Sequence, residues 1–568
     1  MAWQKKKTNS MIDFTTEKKK LSLKEKIGQL FMPAAFVNDT EEEIQNLENL
    51  IREHHIGGLC FFHSRASAAT NYEGKKEVIY NANSFQTLQN LIQHYQSVSK
   101  YPLLIAIDAE WGLAMRVENT PQYPYAITLG AIQGNDDLIF EVGKNIAKDC
   151  KAAGIHWNLA PCVDVNNNPN NPVIGYRSFG EDKIKVAEKA LAFVKGTESE
   201  GVLTSIKHFP GHGDTETDSH LGLPLIEKSK EALIANELYP FQKLIDEGVD
   251  SVMVGHLSVP ALANGKKMSS SISREIIKGV LRNEMGYKGV VISDALNMHA
   301  VSKNYPTKGE LEWLAFDAGN DILCFAEHIA EGIESILENA STAQIEESFE
   351  RVWKLKEKAM LSVQAESRTI SKPETDTQLN RKLAENSLTL LKGAEADVKK
   401  FMNEGFCTLT IQQSSLDQDD NDILESLKNI ILEVEKEEHI LLLCTPRQIK
   451  PANNFCILQE EIDFINELIH SRNFVLYLFG NPYFLNHLNI EKAIAVVVAY
   501  QDFTEFQDAA AAHFTGKITA KGKLPVSINQ NQGKHLESYV QWPAQPCTAR
   551  TYATAISPKM LMNGLLRL

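Results

Sequence analysis

The chain has 568 residues, more than one hydrophobic core ordinarily supports, so at least two domains are expected. Its 43% hydrophobic and 23% charged residues are those of an ordinary soluble globular protein, and a formal net charge of -15 argues against nucleic acid or an anionic membrane as main partner. No run approaches the roughly eighteen apolar residues that a membrane span needs.

Residues 1–20 are basic and polar with no apolar stretch. They are expected to be disordered, no secretory signal is visible, and a cytoplasmic location follows as the expectation. From about residue 21, short apolar runs alternate with amphipathic segments. Candidate strands are 58–62, 103–108, 156–165, 202–208, 251–256, 289–294 and 321–325. Helical spacing of apolar residues marks 85–98, 183–200, 228–247 and 273–285. A doubly wound sheet gives a similar alternation. The barrel reading is favoured because polar residues recur where these runs end: Asp108, Asp164, Lys207 with His208, His256 and Asp294, and in a barrel such ends converge on one face.

A helical run over 342–364 precedes a polar stretch containing Pro373 that reads as a linker. Beyond it, candidate strands at 387–391, 407–412, 440–444, 474–479, 493–499 and 524–528 suggest a smaller layered α/β unit. The expected fold class is therefore α/β: a (β/α)8 TIM-like barrel over 21–365, a linker over 366–380 and a smaller αβα sandwich over 381–568. The eight cysteines, Cys60, Cys150, Cys162, Cys324, Cys407, Cys444, Cys456 and Cys547, form no Cys-x-x-Cys pair. They are expected to be buried thiols, with neither a disulfide framework nor a zinc site.

The most informative stretch is Lys207 to His220, Lys-His-Phe-Pro-Gly-His-Gly-Asp-Thr-Glu-Thr-Asp-Ser-His, directly after an apolar, β-prone run. It reads as a strand end opening into a polar loop, a position that commonly carries chemistry. His208 and His212 are four apart, which on a helix would aim both rings at one metal ion. Pro210 and Gly211 lie between them and break a helix, so no metal is expected.

This stretch resembles the signature of the β-N-acetylglucosaminidase branch of glycoside hydrolase family 3: Lys-His-Phe-Pro-Gly-His-Gly, four residues, then Asp-Ser-His. The resemblance implies that Lys207 and His208 bind sugar hydroxyls and that Asp218 and His220 form an acid/base dyad. The segment 289–295 resembles the family's nucleophile strand, with Asp294 as the residue that forms the covalent glycosyl-enzyme. Asp108 and Arg177 match positions that bind hydroxyls; Arg116 and His256 are weaker candidates. Trp111-Gly112 departs from the two glycines more often found there, so the indole either narrows the non-reducing end or belongs to the core. Short segments around 384–392 and 521–526 resemble the second domain of two-domain members.

The chemistry agrees with these roles. Glycoside hydrolysis passes through an oxocarbenium-like transition state and needs a negative group under the anomeric carbon and a proton donor at the leaving oxygen. A histidine suits the second task because its ordinary pKa, about 6.5, lies near working pH, and Asp218 can orient its ring. The expected activity is that of a retaining, exo-acting β-N-acetylglucosaminidase on terminal GlcNAc of peptidoglycan or chitin fragments. It would work without metal or cofactor, as a monomer whose only partner is a small carbohydrate. The rivals are a β-glucosidase-like or phosphorolytic enzyme on the same scaffold and a catalytically silent sugar-binding protein.

Overall fold

The computed structural model describes residues 13–65, 79–215, 222–362, 373–411 and 438–528. Its first nine strands are β1 (Phe31–Met32), β2 (Ala34–Phe36), β3 (Gly58–Phe62), β4 (Leu104–Ile107), β5 (Trp157–Asn158), β6 (Leu203–Phe209), β7 (Ser251–Val254), β8 (Val290–Ser293) and β9 (Leu323–Cys324). β2 to β8 lie side by side in chain order, all parallel, and β9 pairs in parallel with β1. Ile292 bridges to Ile322, and Ser293 N donates to Ile322 O at 3.0 Å, so β8 is stitched to the start of β9. β1 and β2 are one stave interrupted at Pro33, whose ring removes a donor while its carbonyl still accepts from Cys60 N at 3.0 Å. The ring therefore closes with eight staves, a (β/α)8 barrel. The first stave is absent from the expected strands because its run is short and contains a proline.

Helices alternate with the staves and cap themselves with local side chains. The helix Glu41–His54 opens on a capping box between Thr40 and Glu43, and Lys183–Ser199 opens on Asp182, which accepts from the amides of Ile184 and Lys185. The last barrel helix, Thr342–Ser362, carries Lys356 fully buried beneath the barrel, with its amine on Gln29 Oε1 at 2.5 Å and near the Trp353 ring. Burial pushes this amine down to about 7. Between about pH 7 and 10.5 the unfolded chain then holds a proton that the native state has lost, so stability rises with pH across that window. Below pH 7 the full cost of a buried ammonium is present. Lys356→Met is therefore expected to stabilise the fold by on the order of 2 kcal/mol at pH 6, with a higher melting temperature. The gain should fade towards pH 10.5 in pH-resolved thermal denaturation; a gain of the same size at every pH would contradict this account.

Five further strands are β10 (Thr389–Lys392), β11 (Cys407–Ile411), β12 (His439–Cys444), β13 (Asn473–Leu478) and β14 (Ala495–Val498), in the order β10-β14-β13-β12-β11. All pairs are parallel except β10 with β14. Ile440, Leu442 and Cys444 of β12 enter one apolar core while Leu441 enters the other, so both sheet faces are covered. This is the αβα sandwich, and its first core also takes in Ile127 and Ala131 of the barrel.

Several expectations are corrected. Within the stretch expected to be disordered, Phe14–Lys18 form a helix capped by Asp13, and Phe14 is buried edge-on to Trp353 at 5.2 Å. Within the expected linker, Pro373 opens a helix running to Ser387. Leu379 and Leu383, four apart, give it a buried stripe that the polar run conceals. Residues 524–528 are not a strand: Pro525 O accepts from Glu181 N at 3.1 Å and Ser527 N donates to Glu181 Oε2 at 2.7 Å, tying this segment to a barrel loop instead. Six described cysteines are free, but Cys456 is disulfide-bonded. Among the described residues no helix is long and apolar enough to cross a membrane.

Candidate active site

The stave ends deliver charge to one mouth. Lys207, in β6, is 2% exposed, and its amine bridges Asp108 Oδ1 at 2.8 Å and Glu110 Oε1 at 2.7 Å, both just past β4. Arg116 donates to the other Asp108 oxygen at 3.1 Å while lying over the Phe62 ring. Arg177 forks onto Glu110 with Nε at 3.0 Å and Nη2 at 2.7 Å. The result is a chain of alternating charge, Arg116, Asp108, Lys207, Glu110, Arg177. Burial alone would push the Asp108 carboxyl up, but Lys207 and Arg116 outweigh it and hold it at about 2. For Glu110 burial is likewise overcome, by Arg177 and then Lys207, which hold it well below the usual carboxylate range.

His208 is oriented from behind. Asp164, fully buried beyond β5, accepts from His208 Nδ1 at 2.8 Å, from the His208 amide at 3.2 Å and from the His212 amide at 2.7 Å. Cys162 Sγ donates to it at 3.0 Å. A carboxylate only accepts, so His208 carries its proton on Nδ1 and turns Nε2 towards Arg177 Nη2, 3.3 Å away. Burial raises the Asp164 carboxyl, yet His208 and its other donors bring it to about 2.

Asp294 follows β8, half-buried, with its amide on Val254 O at 2.9 Å and Oδ1 accepting from Ala295 N at 2.8 Å. Burial opposes its charge; His256, His208, the Ala295 amide and Lys207 together hold its pKa below the ordinary value. His256 donates from Nε2 to Ala295 O at 2.9 Å, and its Nδ1 is hydrogen-bonded with Ser271 Oγ at 2.8 Å. An ionised carboxylate held this way on a rigid strand end is equipped to attack an electrophilic carbon.

The structure thus brings together Asp108, Arg116, Arg177, Lys207, His208 and Asp294. Asp218 and His220 lie outside the described residues. Glu110 and Asp164 join this cluster; sequence reasoning left them out of the site, although both stood beside or at a flagged strand end. Among the described residues, Cys162, Asp164 and His208 are the group whose ligand atoms lie within 4.8 Å of one another, as a metal ion would require. Those atoms already satisfy each other through the two hydrogen bonds to Asp164. His212 turns its Nδ1 to Thr215 Oγ1 at 2.7 Å. Trp111 packs edge-on against Tyr125 at 4.9 Å and lies 6.0 Å from Tyr176, two rings that pack on the sandwich core.

Comparison with known proteins agrees with this arrangement. β-Hexosaminidase A of Pseudoalteromonas piscicida is 33% identical over 378 residues, 61% of this chain and 61% of that protein. A β-N-acetylglucosaminidase/β-glucosidase of Cellulomonas fimi is 28% identical over 315 residues, 54% of this chain and 51% of that protein. The chain thus spans between half and two thirds of the length of these two relatives. The structure of a glycoside hydrolase family 3 β-N-acetylglucosaminidase from Paenibacillus sp. str. FPU-7 superposes with a TM-score of 0.69 at 26% identity, over 90% of this chain and all of that one. The description "Glycosyl hydrolase family 3 N terminal domain" matches residues 22–355, more than half of the sequence and the span of the barrel, so the chain belongs to glycosyl hydrolase family 3.

Proposed function

We propose that the protein is a retaining, exo-acting β-N-acetylglucosaminidase that removes terminal GlcNAc by double displacement. The observation that carries this reading is Asp294, ionised and fixed at the end of β8, facing a mouth whose opposite side is the charge chain from Arg116 to Arg177. Rigid donors and acceptors in alternation suit a ring of sugar hydroxyls, each of which both gives and takes a hydrogen bond. In the first step Asp294 attacks the anomeric carbon while His220, oriented by Asp218, protonates the departing oxygen. In the second His220 takes a proton from water, which displaces Asp294. The names of the Pseudoalteromonas and Paenibacillus relatives support the N-acetyl preference, and peptidoglycan or chitin fragments are the substrates we infer.

The Cellulomonas relative, whose name joins both activities, makes β-glucosidase action the second reading to test. Aryl β-GlcNAc and aryl β-glucoside should be compared side by side, with and without phosphate. At least about a hundredfold preference for the first is expected, the scale available when a site's polar groups need a partner the analogue lacks. Phosphate should leave the rate unchanged. Equal rates on both sugars would end the branch assignment, and a sugar phosphate product would end hydrolysis.

A further inference from the structure

The loop 164–181 carries two anchors of the site, Asp164 at its start and Arg177 near its end, and its backbone binds the two together. Ser178 Oγ donates to Asp164 O at 2.6 Å, and Asn166 N donates to Gly180 O at 2.9 Å. The inner edge of the loop rests on the turn after β6: Asn167 N donates to Gly213 O at 3.2 Å and Asn171 Nδ2 to His212 O at 2.8 Å. At Gly213 an added Cβ would stand 1.8 Å from Val165 O, so this contact admits no side chain. The loop is a strap laid over the turn that follows His208.

The outer edge of the strap is met by the sandwich. Tyr483, 3% exposed and part of the first sandwich core, accepts from Asn166 Nδ2 at 2.7 Å through its hydroxyl. Its backbone is fixed as well: the Tyr483 amide donates to Asn481 Oδ1 at 3.0 Å, and Asn481 Nδ2 donates in turn to Ile449 O at 2.9 Å. At the far end Gly180, with φ at +143°, lies against Pro525, where an added Cβ would stand 2.5 Å from the proline carbonyl oxygen. The sandwich therefore touches the strap two residues past Asp164 and three past Arg177.

We propose that Tyr483 is a positioning residue of the sugar site: acting through Asn166, its hydroxyl fixes the stretch that sets Asp164 and so aims the His208 ring. This rests on the reading of His208 as a residue that binds sugar hydroxyls. Asn166 is fully buried, so loss of the tyrosine oxygen leaves a buried amide short of a partner, and the strap must shift to satisfy it. The ring orientation of a histidine follows the carboxylate behind it, and small departures from productive geometry cost turnover.

The test uses the full chain and an aryl β-GlcNAc, and compares Tyr483→Phe, His208→Ala and the double variant. Tyr483→Phe removes one oxygen and keeps the ring; it should lower kcat/KM about 5–20-fold while the melting temperature falls by less than about 4 °C. In the His208→Ala background the same substitution should change kcat/KM less than about twofold, because the ring it aims is gone. Equal effects in both backgrounds would mean that Tyr483 serves the fold at large and would overturn the proposal, as would the parent rate in Tyr483→Phe. If His208→Ala alone leaves kcat/KM unchanged, the hydroxyl-binding reading fails and takes this inference with it. Should Tyr483→Phe not fold, Asn166→Ala breaks the same bond from the barrel side, and the same loss of effect in the His208→Ala background is required of it.

Discussion

Asp294→Ala is expected to lower turnover of an aryl β-N-acetylglucosaminide by about three decades or more, the largest effect of any single substitution in the protein. Without this carboxylate there is no acceptor for the glycosyl group and no charge beneath the oxocarbenium ion. The fold should be kept at the cost of a small loss of stability, because the neighbouring amide and the surrounding cationic groups outweigh burial and hold this carboxyl below its ordinary pKa, so its charge contributes to stability at neutral pH. A small fall in melting temperature with lost turnover, and a fluorinated glycoside that labels Asp294 in the parent protein, are the expected pair of results. A covalent label on a different side chain would move the nucleophile elsewhere.

Lys207→Met is expected to damage stability and activity together. It leaves Asp108 and Glu110, both half-buried, without the cation between them, a loss on the order of 3–5 kcal/mol for breaking a buried pair from one side. The pH dependence identifies the cause. In the parent protein Asp108 is held at about 2, below its ordinary value of 3.8, so its contribution is present above pH 4 and is lost as pH falls towards 2. In the variant the lysine no longer opposes burial, both carboxyls shift upward and protonate sooner, and the deficit relative to the parent shrinks as pH falls. Thermal denaturation at pH 7 and pH 4 should therefore show a large gap and a smaller one. The same gap at both pH values would mean that Lys207 acts by packing alone. Turnover should fall by about two decades, because the charge chain proposed to bind hydroxyls is cut at its centre.

Much of the barrel is legible because strand and helix periodicity survives in it: 58–62 is expected and found residue for residue, and Lys183 and Thr342 begin their helices where expected. Periodicity fails where backbone bonding departs from it. The run 156–165 reads as one strand, yet only Trp157–Asn158 pair as a strand, since Pro161 cannot donate and the chain rejoins the sheet through a single bridge from Cys162 to Lys207. The expected helix 228–247 is two helices, Lys230–Ala235 and Leu238–Asp246, with Pro240 in the first turn of the second. The break falls beside Glu237, a buried carboxylate that accepts from Lys228 Nζ.

In the site, Asp108, Lys207, His208 and Asp294 are readable because they stand at strand ends. Asp164 stands at such an end too and Glu110 lies two residues past Asp108, yet their parts in the site are not readable, because these rest on partners far along the chain: Arg177 is 67 residues from Glu110 and His208 is 44 from Asp164. Sequence spacing carries no information about such pairs.

The sandwich core draws Ile127 and Ala131 out of the barrel and packs against Tyr125 and Tyr176. Tyr176 immediately precedes Arg177, and its neighbour Trp111 immediately follows Glu110, so the wall behind this salt bridge is finished by material from the other end of the chain. A barrel of this sequence cut free near residue 365 would turn an aromatic and aliphatic patch to water beside the arginine that pairs with Glu110. In such a truncated barrel those five positions, 111, 125, 127, 131 and 176, would be the first to call for polar replacements.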